Sequence, residues 1–409
     1  MKYLFIVTES LSANGVCTKA VMERLAKDHR VFCITNREYG GPLQYEQHGV
    51  SYYTVKPRLV YRLESRVAHD APGKRWIARA IPLINKPKLL LTVGSWPLIS
   101  PAYARRIGRL AKKLCRREGV GCIVPVYTQI DTLVAACRVK RAIPGVRYVP
   151  YFLDSLSGGY GPRWFTAQQT RRHGLRWERR LLPSADAIVC MSSSRTHHEK
   201  YSADAPYYHK IRYFDLPLFR IEPVEPGDPL MDHTKRNLVY VGTLPGGIRS
   251  PRYVLEMFRQ LEGDGWQLYF IGSSSCPELD AVTDPRIHVV GRVDHDLALR
   301  YEAQADILIN IGNTNPNMTP SKIFEYMSFG KPIVSTMAVE QEPSRAYLER
   351  YSMALLLDER KDTPKSAAAQ LTKFAATVRP VDQAQVFETF YPNTPAAFVE
   401  FLKEMENEL

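Results

Sequence analysis

No two of the seven cysteines form a C-x-x-C pair. They stand at 17, 33, 115, 122, 137, 190 and 276, and several lie inside apolar runs such as Val31-Phe32-Cys33-Ile34 and Ile188-Val189-Cys190-Met191. An odd, scattered set in apolar surroundings excludes a disulfide scaffold and fits buried free thiols in a reducing cytosol. A long uncharged apolar run is also missing. The longest, Leu89 to Ala104, is interrupted by Gly94, Pro97 and Pro101, which excludes a membrane-spanning helix. Met1-Lys2-Tyr3-Leu4-Phe5-Ile6-Val7 is too short for a signal peptide and reads as a first strand, with Glu9 just beyond it. There is no short-period repeat and no recognisable nucleic-acid-binding module. These absences lead us to expect a cytoplasmic protein, soluble or peripheral to a membrane.

What is present is a chain of 409 residues, 45% hydrophobic and 24% charged, close to the globular average. That length makes two domains the expectation, each burying its own core. Lys plus Arg number 55 against 42 Asp plus Glu, for a formal charge of +13. The excess is concentrated: residues 56–180 hold 26 basic and 6 acidic side chains, while the remainder is net acidic. One part of the protein therefore suits a partner rich in phosphate or anionic lipid.

Short β-branched runs alternate with amphipathic segments, the pattern of parallel sheets wound with helices. In the first half, strands are expected near 2–8, 30–35, 121–126, 146–152 and 187–191, with a helix near 16–28 after the loop Glu9–Gly15. The Pro-rich acidic stretch Leu216–Pro229 reads as a semi-rigid linker. Beyond it, strands are expected near 237–242, 267–272, 287–290, 306–311, 332–336 and 353–357. Helices are expected near 250–262, 296–304, 320–328, 363–377 and 394–408. The expected organisation is a domain over 1–215, a linker over 216–235, a second domain over 236–385, and a C-terminal segment, 386–409, that crosses back to the first. Ligands of such sheets bind beyond the carboxyl ends of the strands, so the space between two facing domains is the default site.

The most informative stretch is Asn317-Met318-Thr319-Pro320-Ser321-Lys322-Ile323-Phe324-Glu325-Tyr326-Met327-Ser328-Phe329-Gly330-Lys331-Pro332-Ile333-Val334. It reads as a loop opening a short helix, with Thr319 as cap, Pro320 in the first turn and Gly330 as stop. Free N–H groups at such a helix start suit an anion. Lys322 adds charge, and Glu325 can accept hydrogen bonds from two hydroxyls. The segment resembles the donor-binding motif of GT-B glycosyltransferases, especially the retaining family-4 type known from bacterial surface-polysaccharide synthesis. Val239-Tyr240-Val241-Gly242-Thr243, Phe270-Ile271-Gly272, Val289-Val290-Gly291-Arg292-Val293 and Ala305-Asp306-Ile307-Leu308-Ile309 occupy the family's order around it.

The resemblance implies a fold of two doubly wound Rossmann-like α/β domains facing across a cleft. It implies transfer of a sugar from a nucleoside diphosphate, UDP favoured, to a hydroxyl of a lipid-linked or glycan acceptor, with retention and without a cofactor. Residue by residue, Glu325 corresponds to a ribose ligand, and Asn317 stands where the family has a first glutamate. The backbone around Met318, Thr319 and Ser321 receives sugar and diphosphate. Arg249 and Lys322 stabilise the leaving diphosphate, while Thr243 replaces the family's other cation. Gly15 and Gly242 allow close backbone approach, Arg292 lies by the base, and Asp154 is the candidate on the acceptor side. Asp294-His295-Asp296 matches the Asp-x-Asp of metal-dependent transferases but is explained as an N-cap and first-turn acid, so no metal is expected. Two alternatives remain open on these residues: an epimerase or hydrolase on the same fold, and a non-catalytic sugar-nucleotide-binding or glycan-binding paralogue.

Ser100 to Gly119 reads as a helix with an apolar stripe of Tyr103, Ile107, Leu110, Ala111 and Leu114 and an otherwise basic surface. A second basic helix covers 171–180. With the apolar segment Leu89–Leu98, these point to docking on an anionic membrane at the inner face of the plasma membrane rather than to nucleic acid.

Overall fold

The computed structural model describes residues 1–9, 12–69, 72–162, 164–220, 224–225, 227–316, 318–379 and 381–408, without the side chains of 13, 85–95 and 408. The chain divides into unit 1, Met1–Pro217 with Pro395–Leu409, and unit 2, Leu218–Thr394.

In unit 1, β1 (Lys2–Ile6), β2 (Arg30–Asn36), β3 (Gln44–Gln47), β4 (Val50–Val55), β5 (Cys122–Pro125) and β6 (Arg147–Tyr148) form one sheet in the order β3-β4-β2-β1-β5-β6. Only β3 runs antiparallel, against β4. A three-stranded parallel sheet holds β7 (Tyr151–Phe152), β8 (Ile188–Met191) and β9 (Ile211–Phe214). β1 and β5 are apolar throughout their buried positions because helices cover both faces of a parallel sheet. The helix Pro101–Glu118 buries Tyr103, Ile107, Ala111 and Leu114 on that sheet, and Gly119 ends it at φ 68°. Ser100 holds the cap position, but its side chain makes no cap hydrogen bond; instead its N–H donates to Asp131 Oδ1 at 2.8 Å.

Two stretches of unit 1 depart from the expected elements. Residues 44–55 form the β3–β4 pair, and Leu59–Ala68 and Lys74–Ser95 are helices. The second helix runs through Gly94, which does not interrupt the segment as the sequence suggested, and ends at Ser95 before Pro97 and Pro101. Among the described residues, no helix is long and apolar enough to cross a membrane. The loop expected over 9–15 is already helical from Ala13, because Ser12 Oγ caps the Gly15 N–H at 3.1 Å. All seven cysteines are buried, and none of them is in a disulfide.

The helix Pro395–Glu408 completes unit 1. Phe398, fully buried, packs on Tyr151 and Phe214 with ring centroids 4.9 and 4.8 Å away. Lys403 pairs with Asp28 at 3.1 Å, and Arg147 donates to the Glu406 carbonyl at 2.8 Å.

Unit 2 is an all-parallel sheet of β10 (Arg236–Val241), β11 (Trp266–Ile271), β12 (Ile287–Gly291), β13 (Ile307–Ile311), β14 (Ile333–Met337) and β15 (Ala354–Asp358), in the order β12-β11-β10-β13-β14-β15. The order turns between β10 and β13, and the glycine turns after β10 and β11 meet at the carboxyl edge. A Cβ on Gly272 (φ +130°) would sit 2.0 Å from the Gly242 carbonyl oxygen, so no side chain fits there.

Gly272→Ala should therefore destabilise unit 2 by about 2–4 kcal/mol in urea unfolding. A second outcome concerns acid. His197 and His198 are buried side by side, bonded to Ser157 Oγ (2.9 Å) and Tyr213 Oη (3.3 Å). Burial, then neighbouring Arg171, lowers His197 to about 4; burial, then His197, lowers His198 to about 3. Unfolded imidazoles take up protons near pH 6.5 and these do not, so stability is full above about pH 6.5 and falls as pH drops toward about 4. Replacing both with Gln should flatten the urea-midpoint profile in that window.

Candidate functional site

The carboxyl edge of the unit 2 sheet is assembled around Tyr326, on the short helix Lys322–Ser328. Its buried hydroxyl accepts the Val241 N–H at 2.8 Å and donates to the Val241 carbonyl at 3.1 Å, tying the helix to the end of β10. One turn earlier, Lys322 Nζ donates to Glu325 Oε1 at 2.7 Å and to Glu302 Oε1 at 2.8 Å. Glu302 comes from the helix His295–Gln304 and is fully buried.

This ammonium between two carboxylates sets the electrostatics of the edge. Burial raises Glu302 well above the usual carboxylate range, and the charge of Glu325 raises it further. Burial also works against Glu325, but the Lys322 ammonium and hydrogen bonds from Glu302 and Lys322 outweigh it and hold Glu325 low. For Lys322, the two carboxylates outweigh the cost of burial and raise its pKa. The two carboxylates are thus pushed apart, Glu302 toward its neutral form and Glu325 toward its ionised form beside the Lys322 ammonium.

Arg249 is placed by a separate relay. Its Nε donates to Asn313 Oδ1 at 2.7 Å, and Asn313 Nδ2 donates to the Met318 carbonyl at 2.6 Å. Asn313 is buried just beyond β13, and so fixes both Arg249 and the loop leading into the helix. Thr314 N donates to the Ile248 carbonyl at 3.1 Å and Thr314 Oγ1 to Gly247 O at 3.3 Å, binding the same two loops. Among the described residues, no ion pair neutralises the Arg249 guanidinium.

The structure brings Arg249, Met318, Lys322 and Glu325 to one edge, beside the glycine turn of Gly242. It also corrects three readings. The helix begins at Lys322, not Pro320, with Ser321 as a cap whose side chain makes no cap bond and Thr319 outside it. The Asn313 side chain holds Met318 through its carbonyl ahead of that start. Lys322 is not an uncommitted phosphate cation, because its ammonium is ion-paired with Glu325 and also donates to Glu302. Gly15 offers no loop N–H to a phosphate, since Ser12 Oγ takes it. Arg292 is exposed beyond β12. Asn317 lies outside the described residues.

In unit 1, Asp154 follows β7, and its Oδ2 accepts from Asn14 Nδ2 at 2.8 Å. Burial raises its pKa, against the hydrogen bond from Asn14. Asp294 caps its helix, accepting from Leu297 N at 2.8 Å. Among the described residues, no group of three or more His, Cys, Asp or Glu side chains is placed to hold a metal ion. Glu302 and Asn313 were not singled out in the sequence. Glu302 did leave a trace: with Ala298 and Leu299 it stands on the buried stripe of its helix, a carboxylate where an apolar residue is expected.

Residues 235–376 match the family model described as Glycosyl transferases group 1. No curated protein matches the chain in sequence. Among solved structures, sucrose-phosphate synthase from Thermosynechococcus elongatus is similar over 100% of this chain and 98% of its own, at 13% identity and TM-score 0.62. HepE of Anabaena, in complex with UDP, is similar over 100% of both chains, at 14% identity and TM-score 0.62. An α,α-trehalose-phosphate synthase from Burkholderia xenovorans, in complex with glucose-6-phosphate, is similar over 99% of this chain and 100% of its own, at 11% identity and TM-score 0.62. At such identities the likeness shows the fold: two Rossmann-like bodies, as in GT-B glycosyltransferases. The group 1 domain matched over residues 235–376 indicates that the chain is a transferase enzyme.

Proposed function

We propose that the chain transfers a sugar from a UDP-sugar to a hydroxyl of a lipid-linked or glycan acceptor, with retention, in surface-polysaccharide synthesis, and that it requires no metal or other cofactor. The observation that carries this reading is an ionised Glu325 and an unpaired Arg249 guanidinium on one carboxyl edge, inside the matched domain. Glu325 receives the ribose hydroxyls, and Arg249 binds the diphosphate through its guanidinium. Lys322 orients Glu325 and keeps its third proton for the ligand.

The bond from the anomeric carbon to the diphosphate oxygen breaks with its electron pair leaving on UDP. The acceptor hydroxyl adds on the same face and gives its proton to the departing diphosphate. In this scheme the protein positions the reactants and stabilises charge on the leaving group. Unit 1 takes the acceptor, with Asp154 on that side. Structural neighbours solved with UDP and with a sugar phosphate support the substrate class.

Docking on an anionic membrane belongs to the same reading. The helix Lys74–Ser95 exposes Trp76 at 75% and Leu83 at 65%, beside exposed Arg75 and Arg79. Aromatic and aliphatic side chains with cations beside them suit a lipid interface, each basic residue adding about 1 kcal/mol.

UDP should raise the melting temperature of the full chain, by about 2.7 kcal/mol of stabilisation at a hundredfold excess over Kd. Glu325→Gln and Arg249→Ala should each weaken UDP binding about tenfold, ~1.4 kcal/mol, in calorimetry. Unchanged affinity in both would refute the donor site. In sedimentation with phosphatidylglycerol vesicles at low salt, the bound fraction should fall in Trp76→Ala/Leu83→Ala; equal binding by the variant removes the membrane assignment.

A further inference from the structure

A pocket in unit 1 is not used by the donor reading. β2 and β4 are parallel neighbours, and their last residues, Asn36 and Val55, are register partners. The segments that follow, beginning at Arg37 and Lys56, therefore leave the sheet at its carboxyl edge, where doubly wound sheets hold ligands. The helix Leu59–Ala68 starts directly afterwards and supplies another wall. Together they enclose about 640 Å³, within the range of small-molecule sites.

The lining is cationic. Arg37, Lys56, Arg62 and Arg66 face one carboxylate, Glu38. Glu38 is occupied by hydroxyls: Tyr61 Oη donates to it at 2.5 Å and Ser65 Oγ at 2.6 Å. None of the four cations has an ion pair among the described residues. Arg66 lies over the Tyr39 ring, 5.4 Å from its centroid, and its Nε is buried without a hydrogen-bond partner. A buried donor left without a partner is destabilising, as are like charges crowded in a concavity, and an anion relieves both.

The walls are also held in place. Arg106 donates to the carbonyls of Lys56 (3.1 Å) and Pro57 (3.4 Å). Arg58 pairs with buried Asp131 and donates to the Leu98 carbonyl at 2.9 Å. The cations therefore stand on an anchored backbone, which lowers the ordering cost of binding.

We infer that this pocket binds a phosphoryl group, and that the acceptor is a phosphorylated compound held there by Arg37, Arg62 and Arg66. The word acceptor rests on the proposed transferase reading; the phosphoryl site does not. Guanidinium forks match phosphate oxygens in pairs, and three of the four cations are arginines. The phosphoryl group belongs either to a soluble sugar phosphate or to the headgroup of a polyprenyl diphosphate.

The test is calorimetry of inorganic pyrophosphate on the full chain, with UDP saturating so that the donor site is filled. Pyrophosphate should bind, more weakly as salt rises, and Arg37→Ala/Arg62→Ala should weaken it at least tenfold at an unchanged melting temperature. Arg62→Lys should recover part of the loss. No binding, or equal binding by the double variant, overturns the site. Loss of pyrophosphate binding in the variant while UDP fails to bind keeps the pocket and removes the donor reading; the converse does the reverse. Displacement of pyrophosphate by hexose 6-phosphate or by farnesyl diphosphate distinguishes the two sources, and displacement by neither overturns the acceptor assignment.

Discussion

The carboxyl edge of the unit 2 sheet depends on one buried ammonium. Lys322 takes its charge into an interior that tolerates charge only when it is balanced; the Glu325 carboxylate balances it, and Glu302 accepts a second hydrogen bond from the ammonium. Removing one member of such a set costs about 3–5 kcal/mol, because the remaining charge is left buried and unpaired. The same contacts join the helix His295–Gln304 to the helix Lys322–Ser328, and Tyr326 locks the latter to β10. The orientation of Glu325 is therefore set by packing and charge balance before any ligand arrives, and pre-organisation of this kind is what a site that stabilises charge requires.

Where the sequence was legible, the physics was local. A continuous apolar run bounded by glycine or proline identifies a buried parallel strand, so 237–242 anticipated Arg236–Val241 and 353–357 anticipated Ala354–Asp358. The helix 363–377 was readable from a threonine cap and a proline after it, and both hold their places. Gln44-Tyr45-Glu46-Gln47 went unread as a strand because it is polar and mostly exposed at the sheet edge, so it lacks the apolar run that marks its neighbours. The helix Lys74–Ser95 was hidden by Pro82, Pro87 and Gly94, residues that argue against helix locally and are accommodated here.

Legibility of the site stopped where distant residues act on one another. Glu325 and Arg249 could be named as candidates because a motif carries them. Nothing adjacent to Lys322 in sequence shows that a carboxylate twenty residues earlier holds its charge. Likewise, Asn313 links Arg249 to Met318 across 64 and 5 positions of chain, a bond pattern that spacing alone does not encode. The late start of the Lys322 helix belongs to this class, since a side chain from β13's far end fixes the preceding loop. The strong basic charge of residues 56–180 was plain in composition, yet only the fold separates cations paired within it, such as Arg58, from those left facing a cavity.

The helix Pro395–Glu408 belongs to unit 1 although all of unit 2 precedes it in the chain. During translation, the nascent first half must wait with Tyr151 and Phe214 uncovered until Phe398 has been made. Unit 2, whose residues are contiguous, faces no such delay. Maturation of this protein thus runs out of register with its synthesis: the lobe begun first gains its covering helix only after the contiguous second lobe has been made.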